Sequence, residues 1–286
     1  PWLGMPVTKL SELDRALIIG SFLRKDQPII AARLRTAAKR GLQVSRIDAG
    51  GDDWLITCPW CASEKMSVGK SEGNIYQCWK CKESGNALTL TRKFYEDLPA
   101  LSPPSAREFL SRKKGVSFQT LRSEGVRYEG GYYWFPVQNA DGKLIALHKY
   151  NPQNNIAYSS PKPWNCSILG LSQLEGHNEL WIAEGHADYL VMRSVLKGQP
   201  IDLLGTCGSS FSQSYLHLLD GKSVVLLFDN DEAGRNGVQS VARRLKASGN
   251  SVESLKCIDW NRLTIPSGNI PDKFDIRDLW NELKAT

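Results

Sequence analysis

Two apolar runs of this 286-residue chain end abruptly in acid: Leu180-Trp-Ile-Ala-Glu184-Gly185 and Leu226-Leu-Phe-Asp229-Asn-Asp231-Glu-Ala-Gly234. Short apolar runs of this kind, each followed by a helical pattern, are typical of buried strands in a parallel sheet. Ligands bind at the carboxyl ends of such strands. The sequence therefore predicts that Glu184, Asp229 and Asp231 lie together at one edge of a sheet.

The same alternation continues through the last third of the chain. We predict strands at 180–183, 201–204, 224–228 and 252–258 and helices at 188–197, 212–219 and 236–247. Strand–helix alternation indicates a largely parallel sheet flanked by helices. Upstream, residues 132–137 and 143–150 predict a hairpin across the turn at Asp141-Gly142. The predicted fold class is therefore α/β, or α+β when the smaller β segments are included.

The clustered carboxylates predict a divalent-cation site. Converging carboxylates repel one another unless a cation lies between them, and Mg²⁺ or Mn²⁺ takes oxygen ligands. Asp229 and Asp231 point the same way if the backbone between them is extended. Asp275, in a later acidic stretch, either contributes to a second metal or caps the last helix. Glu184 is either a metal ligand or a general base, and the sequence leaves both roles open.

Four of the seven cysteines form two Cys-x-x-Cys pairs, Cys58–Cys61 and Cys78–Cys81. Cys58, Cys61, Cys78 and Cys81 together predict one tetrahedral site for a structural Zn²⁺, whereas a redox dithiol would need a single pair. The other three cysteines are scattered, which fits a reducing compartment rather than a disulfide framework. The sequence therefore predicts a zinc ribbon.

Two tryptophans, Trp60 and Trp79, lie beside these cysteines among several lysines. Exposed aromatic rings between lysines can stack on unpaired bases while the lysines hold phosphates. The alternative is that the aromatic residues form the small core of the ribbon. The sequence leaves both open.

Composition divides the chain into five segments. We predict a basic helical N-terminal extension (1–48, with two helices in 8–47), the zinc ribbon (49–96), a proline-containing linker (97–105), a mixed α/β segment (106–178) and the strand–helix segment (179–286). The net charge is +6. Basic residues lead in residues 9–47 and 106–178, and acidic residues lead from residue 179 onward. This pattern suits phosphate binding beside a metal site, with solvated helix faces as the alternative. No run is long enough to span a bilayer, so we expect a cytoplasmic protein without a membrane partner.

These features together resemble DnaG-type bacterial and phage DNA primases. Glu184-Gly185 and Asp229-Asn-Asp231 resemble the acidic motifs of the Toprim domain. The stretch 58–86 resembles the zinc ribbon of the family, and its four cysteines are as in the phage and plasmid members. The order of ribbon, linker and Toprim core is also that of the family, and residues 1–47 match nothing in it.

The resemblance implies an N-terminal polymerase subdomain at 106–178 and a Toprim catalytic subdomain at 179–286. It implies Mg²⁺- or Mn²⁺-dependent synthesis of short RNA primers from ribonucleoside triphosphates on a single-stranded DNA template. By the same resemblance, Glu184, Asp229, Asp231 and Asp275 are catalytic and bind Mg²⁺, with Asp188 in support. The residues that the resemblance implies for nucleotide or template binding are Lys114, Lys149 and Lys162. Further candidates for these contacts are Arg235, Trp60 and Trp79.

Two other functions stay open: a Toprim-family nuclease and a non-catalytic protein that binds single-stranded nucleic acid. A nuclease would need neither the ribbon nor the basic segment 106–178. A non-catalytic protein would have no use for clustered buried acids, which cost stability. We also expect a replicative helicase as a partner, either on a separate chain or as a C-terminal domain missing from this sequence.

Overall fold

The computed structural model describes residues 7–13, 15–19, 28–47, 53–69, 75–153, 156–160 and 167–284. The chain divides into two compact units, Pro1–Asn86 and Ala87–Thr286. Within the described ranges, no helix has the length and apolar character needed to cross a membrane.

The first unit begins with a small α/β element. A 3-10 helix (Val7–Glu12) and helix α1 (Pro28–Ala38) accompany two parallel strands, β1 (Arg15–Ile19) and β2 (Gln43–Ile47). Of the two helices predicted in 8–47, the second is confirmed as α1, which starts at Pro28, whereas the first is only a short 3-10 helix and is followed by strand β1. Residues 15–19 end in two isoleucines, whose β-branched side chains favour a strand, and β2 supplies the pairing partner.

The rest of the first unit is a four-stranded antiparallel sheet. Its strands are β3 (Asp53–Ile56), β4 (Met66–Gly69), β5 (Tyr76–Cys78) and β6 (Ser84–Gly85), in that spatial order. Met66, Val68 and Tyr76 are buried on it. A Cβ at Gly85 would lie 2.9 Å from the Tyr76 ring, so a residue without a side chain is needed where β6 crosses it. Of the four cysteines of the predicted ribbon, Cys78 lies on β5, and the other three lie in the turns that follow β3 and β5.

The second unit opens with three helices on an antiparallel sheet. The helices are α2 (Ala87–Asp97), α3 (Pro103–Arg112) and α4 (Phe118–Ser123), and the strands are β7 (Arg127–Glu129), β8 (Tyr132–Gln138), β9 (Leu144–Asn151) and β10 (Ile156–Ser160). The predicted hairpin is β8–β9. The Tyr133 hydroxyl donates to Ser105 O (2.6 Å) and accepts from Phe109 N (3.1 Å), which holds α3 against β8.

Helix α2 packs on this sheet, although the sequence grouped residues 87–96 with the ribbon. Arg92 Nε donates to Leu144 O (3.0 Å), and the Tyr95 hydroxyl donates to Gly125 O (2.7 Å). The predicted linker is packed as well, because Leu98 and Leu101 are buried. The compact units therefore divide ten residues earlier than the predicted ribbon boundary, between Asn86 and Ala87.

The remainder of the second unit is a five-stranded sheet covered on both faces. Its strands are β11 (Ile168–Leu169), β12 (Glu179–Glu184), β13 (Ile201–Thr206), β14 (Ser223–Leu227) and β15 (Ser254–Cys257), and its helices are α5 (Gly185–Val195), α6 (Glu232–Ser248) and α7 (Ile276–Lys284). The order is β11-β13-β12-β14-β15, with only β11 antiparallel to its neighbour. This confirms the predicted α/β class and the largely parallel sheet. Residues 212–219, predicted as an α-helix, form a 3-10 helix (Gln213–Leu219).

Candidate active site and zinc-ribbon site

Glu184 and Asp229 meet at the carboxyl edge of the five-stranded sheet. Strand β12 lies between β13 and β14, and Ala183 pairs with Leu227 across the β12–β14 ladder. Glu184 therefore ends β12 beside the turn that follows β14. The Asp229 backbone N–H donates to Glu184 Oε2 (3.2 Å). The register of two parallel strands is what brings these carboxylates together.

Asp231 has a different position from Asp229. It is the N-cap of α6, and its Oδ1 accepts from the Gly234 N–H (2.7 Å). Capping of this kind satisfies one of the free N–H groups of the first helical turn. Asp231 is thus held at the start of the helix, where its negative charge raises the pKa values of Glu184 and Asp229.

Asp275 joins the same site from a distant part of the chain. Backbone hydrogen bonds link the two loops, from Asn230 N to Phe274 O (2.8 Å) and from Lys273 N to Asn230 O (2.9 Å). Asp275 also accepts from the Asp278 N–H (2.7 Å) at the start of α7 and pairs with Arg277. Both roles considered for Asp275 are therefore compatible, because it caps the helix and borders the acidic site.

A cavity of about 370 Å³ opens in front of these acids. It is lined by Lys113, Tyr150, Glu184, Gly185, His186, Ala187, Asp188, Cys207, Gly208, Asp229, Asp275 and Arg277. Sequence reasoning did not identify Lys113 or Arg277. Lys113 follows α3 next to the predicted Lys114, and no local spacing distinguishes the two. Arg277 lies between Asp275 and Asp278 in the sequence, and this position of a basic residue between two acids could have identified it.

Burial and mutual repulsion raise the pKa values of the acids in this cavity. Burial raises the pKa of Asp229 to about 8, and the charges of Glu184, Asp275 and Asp231 add to the effect. The pKa of Glu184 is also raised, chiefly by burial and further by Asp231. Burial likewise raises the pKa of Asp188 and of Asp275. When these acids ionise, their negative charges repel one another, and a bound cation would offset that repulsion.

The acids offer the oxygen ligands of a hard divalent cation, and among the described residues no three of their carboxylates lie within 4.8 Å of one another. Asp229 Oδ1 and Asp188 Oδ1 are buried and, within the described part of the chain, have no hydrogen-bond partner. Unpartnered buried carboxylate oxygens are costly unless a cation or a proton compensates them. Mg²⁺ and Mn²⁺ take oxygen ligands of this type. Glu184, Asp229 and Asp275 are the residues that would hold the ion, with Asp188 beside them.

We expect the Mg²⁺-free protein to lose stability as the pH rises from about 6.5 to 8. The folded-state pKa of Asp229 is raised to about 8 from 3.8, so its stabilising effect is complete below about pH 4 and is lost as the pH rises through 8. Glu184 and Asp275 act in the same direction.

Burial lowers the pKa of His148 and His186, so these histidines make the stability rise with pH, but only below about pH 6.5. Cys78, whose pKa is lowered to about 6 chiefly by a backbone hydrogen bond, would act in the opposite direction over the same range, so the zinc-loaded protein is used, in which its thiolate is bound. The slope should then approach about 1 kcal/mol per pH unit.

Urea unfolding followed by tryptophan fluorescence, at several pH values with and without Mg²⁺, measures this slope. Mg²⁺ should flatten it, because a bound cation keeps the carboxylates ionised. The Asp229→Asn variant should reduce the slope without Mg²⁺. A pH-independent free energy of unfolding in the Mg²⁺-free wild type would contradict the assignment.

Gly234→Ala should distort the turn that carries Asp229 and Asp231. A Cβ at Gly234 would lie 2.3 Å from Asp229 O and 2.9 Å from Asp229 N, and neither backbone atom can move without moving Asp229. We expect Mg²⁺ affinity to fall by about tenfold or more, with a loss of stability of roughly 1–3 kcal/mol. Isothermal titration with Mg²⁺ measures the affinity. Asn236→Ala, at an exposed position of the same helix, is the matched control and should leave it unchanged.

The predicted basic contacts lie in different places. Lys114 is exposed and is absent from the cavity lining, where its neighbour Lys113 is found. Lys149 Nζ lies 3.7 Å from the centroid of the Tyr132 ring, on the face of β9 opposite to His148 and Tyr150. Arg235 is exposed at the start of α6 and contacts Asn230 Oδ1 (3.5 Å). Lys162 is outside the described residues. The structure therefore brings none of Lys114, Lys149 and Arg235 into the cavity lining.

In the first unit, the four predicted cysteine ligands form one cluster. Cys58 Sγ lies 3.6 Å from Cys81 Sγ, and Cys61 Sγ lies 3.7 Å from Cys78 Sγ. All four sulfur atoms are within 4.8 Å of one another. A tetrahedral zinc with Zn–S bonds of about 2.3 Å places its sulfurs about 3.8 Å apart. The cluster therefore fits one Zn²⁺ with four thiolates and leaves no open coordination position.

The two knuckles of this cluster have the same backbone geometry. Ala62 N donates to Cys58 O (2.9 Å) and Lys82 N donates to Cys78 O (3.0 Å). Ala62 and Lys82 both adopt positive φ, 54° and 69°, which non-glycine residues rarely do. Equivalent strain at equivalent positions indicates that both turns are built to present two sulfurs each.

The two predicted ribbon tryptophans differ in exposure. Trp60 stacks on Tyr76, with ring centroids 5.2 Å apart and an interplanar angle of 19°, so its ring serves the core of the ribbon. Trp79 is 56% exposed and has its ring available to a base. Of the two, only Trp79 presents the surface that stacking on a nucleic acid requires.

The fold and this acidic site define a protein with a Toprim-like domain. Residues 181–264 match the sequence profile described as Toprim-like. The chain also shares the fold of the DnaG catalytic core. The structure of a DnaG primase catalytic domain bound to single-stranded DNA aligns with a TM-score of 0.52 at 16% identity, covering 68% of this chain and 74% of that one. The predicted likeness to DnaG-type primases is thereby confirmed for the fold and the Toprim domain.

Two relatives extend the comparison to sequence. An uncharacterized protein of Mycoplasma pneumoniae is 29% identical over 170 residues, which are 54% of this chain and 79% of that protein. The DNA helicase/primase of Enterobacteria phage T3 is 22% identical over 258 residues. That alignment covers 81% of this chain and 40% of the phage protein. The likeness to the phage protein thus extends well beyond the Toprim-like residues.

Proposed function

We propose that this chain is a DNA primase that joins ribonucleotides into short RNA primers on single-stranded DNA. The observation that carries the proposal is that Glu184 and Asp229, from the Toprim-like residues 181–264, line one cavity with Asp275, in a chain that also has a four-cysteine cluster. Nucleic-acid synthesis at such a site needs a cation for the phosphates and a second surface that contacts the template.

The acids have distinct parts in the proposed reaction. Glu184, Asp229 and Asp275 would hold Mg²⁺ or Mn²⁺, which when bound activates the attacking 3′-hydroxyl and neutralises the triphosphate. Asp231, which the sequence predicted as a further Mg²⁺ ligand, caps α6 and is absent from the cavity lining, so in this proposal it orients the turn that carries Asp229. Lys113, at the cavity wall 5.8 Å from the centroid of the Tyr150 ring, supplies a cation for phosphate oxygens. Arg277 is paired with Asp275 and orients it.

The ribbon has a separate role in this proposal. Zn²⁺ at Cys58, Cys61, Cys78 and Cys81 is structural, because four thiolates leave it no position for a substrate. Trp79 would stack on template bases, and the exposed Lys80 and Lys82 beside it would hold phosphates. DNA template, ribonucleoside triphosphates and the RNA primer are the proposed ligands. A replicative helicase is the proposed protein partner, by analogy with the phage T3 protein, whose name joins the two functions.

The test is synthesis of labelled RNA by the full chain on single-stranded DNA templates of varied sequence, with Mg²⁺ or Mn²⁺. We expect short oligoribonucleotides that require template and divalent ion. Product formation should weaken with salt, because phosphate contacts release counterions. Cleavage of the DNA without RNA synthesis would favour the Toprim nuclease instead, and DNA binding with neither activity would favour the non-catalytic alternative.

A further inference from the structure

A second group of metal-binding side chains lies in the wall of the acidic cavity. His148 is on β9, His186 is in the first turn of α5, and Cys207 directly follows β13. His148 Nδ1 is 3.0 Å from His186 Nε2 and 3.4 Å from Cys207 Sγ. The three donor atoms all lie within 4.8 Å of one another.

We propose that His148, His186 and Cys207 form a transition-metal site for Zn²⁺, separate from both the four-cysteine cluster and the carboxylates. Tetrahedral zinc, with Zn–N of about 2.0–2.1 Å and Zn–S of about 2.3 Å, requires N···N and N···S separations of about 3.3 and 3.6 Å. The Nδ1···Nε2 and Nδ1···Sγ distances differ from these by a few tenths of an ångström. Cys207 Sγ also lies 4.0 Å from His148 Nε2, beside the imidazole ring, so ion binding requires the Cys207 side chain to turn toward the Nδ1 lone pair.

The chemistry of the donors selects against Mg²⁺. Two imidazoles and a thiolate suit Zn²⁺ and similar ions, whereas the carboxylates of the same cavity suit Mg²⁺ or Mn²⁺. Cys207 enters as a thiol, so metal binding breaks its S–H bond, forms the metal–sulfur bond and releases the proton to solvent.

The surroundings hold the ligands in place and leave one side open. His148 is completely buried, and the His186 ring packs against the edge of Phe135 (centroids 4.6 Å apart) and lies parallel to Tyr150. His186 and Cys207 also line the cavity that contains Glu184 and Asp229. Three protein ligands with access to a cavity leave a fourth position for water or a phosphate oxygen. This site therefore differs from the closed ribbon site.

The alternative is a buried hydrogen-bonded trio without metal, and cobalt uptake by the full chain separates the two. Co²⁺ serves as the spectroscopic probe for Zn²⁺. With Mg²⁺ in excess to occupy the carboxylates, we expect the demetallated wild type to bind two equivalents of Co²⁺ that give sulfur-to-cobalt charge-transfer absorption, and the Cys207→Ser variant to bind one. Cys257→Ser is the matched control, because Cys257 is exposed on β15 and outside both clusters, and it should retain two. Uptake of one equivalent by the wild type, or of two by Cys207→Ser, overturns the proposal.

A measurement without any substitution guards against misfolding of the variant. X-ray absorption of the zinc-loaded wild type should give an average of about 2.5 sulfur and 1 nitrogen ligands per zinc if both sites are filled. Sulfur ligation alone, at one zinc per chain, would leave the trio as a hydrogen-bonded cluster and reject the site. Neither measurement depends on primer synthesis, so the site and the proposed primase activity can fail independently.

Discussion

Asp229→Asn should lower RNA synthesis by about a thousandfold while the chain keeps its fold. Asp229 lines the cavity next to Glu184, and its Oδ1 is buried without a hydrogen-bond partner in the described part of the structure. The amide has nearly the same shape but carries no charge, so it weakens the hold on a divalent cation. Initial rates of ribonucleotide incorporation at saturating Mg²⁺ measure the loss.

The same substitution should not destabilise the Mg²⁺-free protein. With the pKa of Asp229 raised to about 8, the folded state bears the repulsion of Glu184, Asp231 and Asp275 whenever Asp229 ionises, and the amide removes it. We expect a thermal unfolding midpoint at pH 8 equal to or above that of the wild type. Asp141→Asn, in the exposed hairpin turn, is the control for the chemical change and should alter neither quantity.

Undiminished synthesis by Asp229→Asn would show that the cavity is not the catalytic site. A lower rate together with a lower unfolding midpoint would indicate a structural role for the carboxylate instead. The two measurements together therefore separate catalysis from folding at this position.

Loss of the four-cysteine zinc should unfold the ribbon and leave the second unit folded. The ribbon has a small core, chiefly Met66, Val68 and Tyr76, and structural zinc contributes on the order of 10 kcal/mol in comparable small domains. The second unit has its own large cores on both faces of its parallel sheet. We expect Cys78→Ser to lose the zinc equivalent of the ribbon and to become sensitive to protease within 53–86.

Limited proteolysis with mass spectrometry, beside zinc analysis, measures both effects. Cys257→Ser is again the matched control, because its thiol is exposed and far in sequence from the knuckles. Protease resistance of the ribbon after loss of its zinc would contradict a metal-dependent fold. Cleavage inside the parallel sheet would contradict the independence of the second unit.

Local patterns in the sequence were sufficient to predict several strands and one hairpin of the fold. Apolar runs ending at Glu184 and Asp229 predicted strand ends, since a strand of that length and composition has few alternatives. The hairpin of β8 and β9 followed from its alternation and turn. The segment 15–19 was predicted as helix because its isolated pattern is ambiguous, and only pairing with 43–47 favoured a strand.

The sequence by itself determined the two knuckles and the acidic strand ends, because each depends on a few neighbouring residues with a fixed backbone geometry. Only the tertiary structure decided which side chains share a cavity. It placed Lys113 rather than Lys114 there and added Arg277. It also joined His148 to His186 and Cys207, which are 38 and 59 residues away in sequence. Contacts of that kind depend on strand order and helix packing, which no local spacing records.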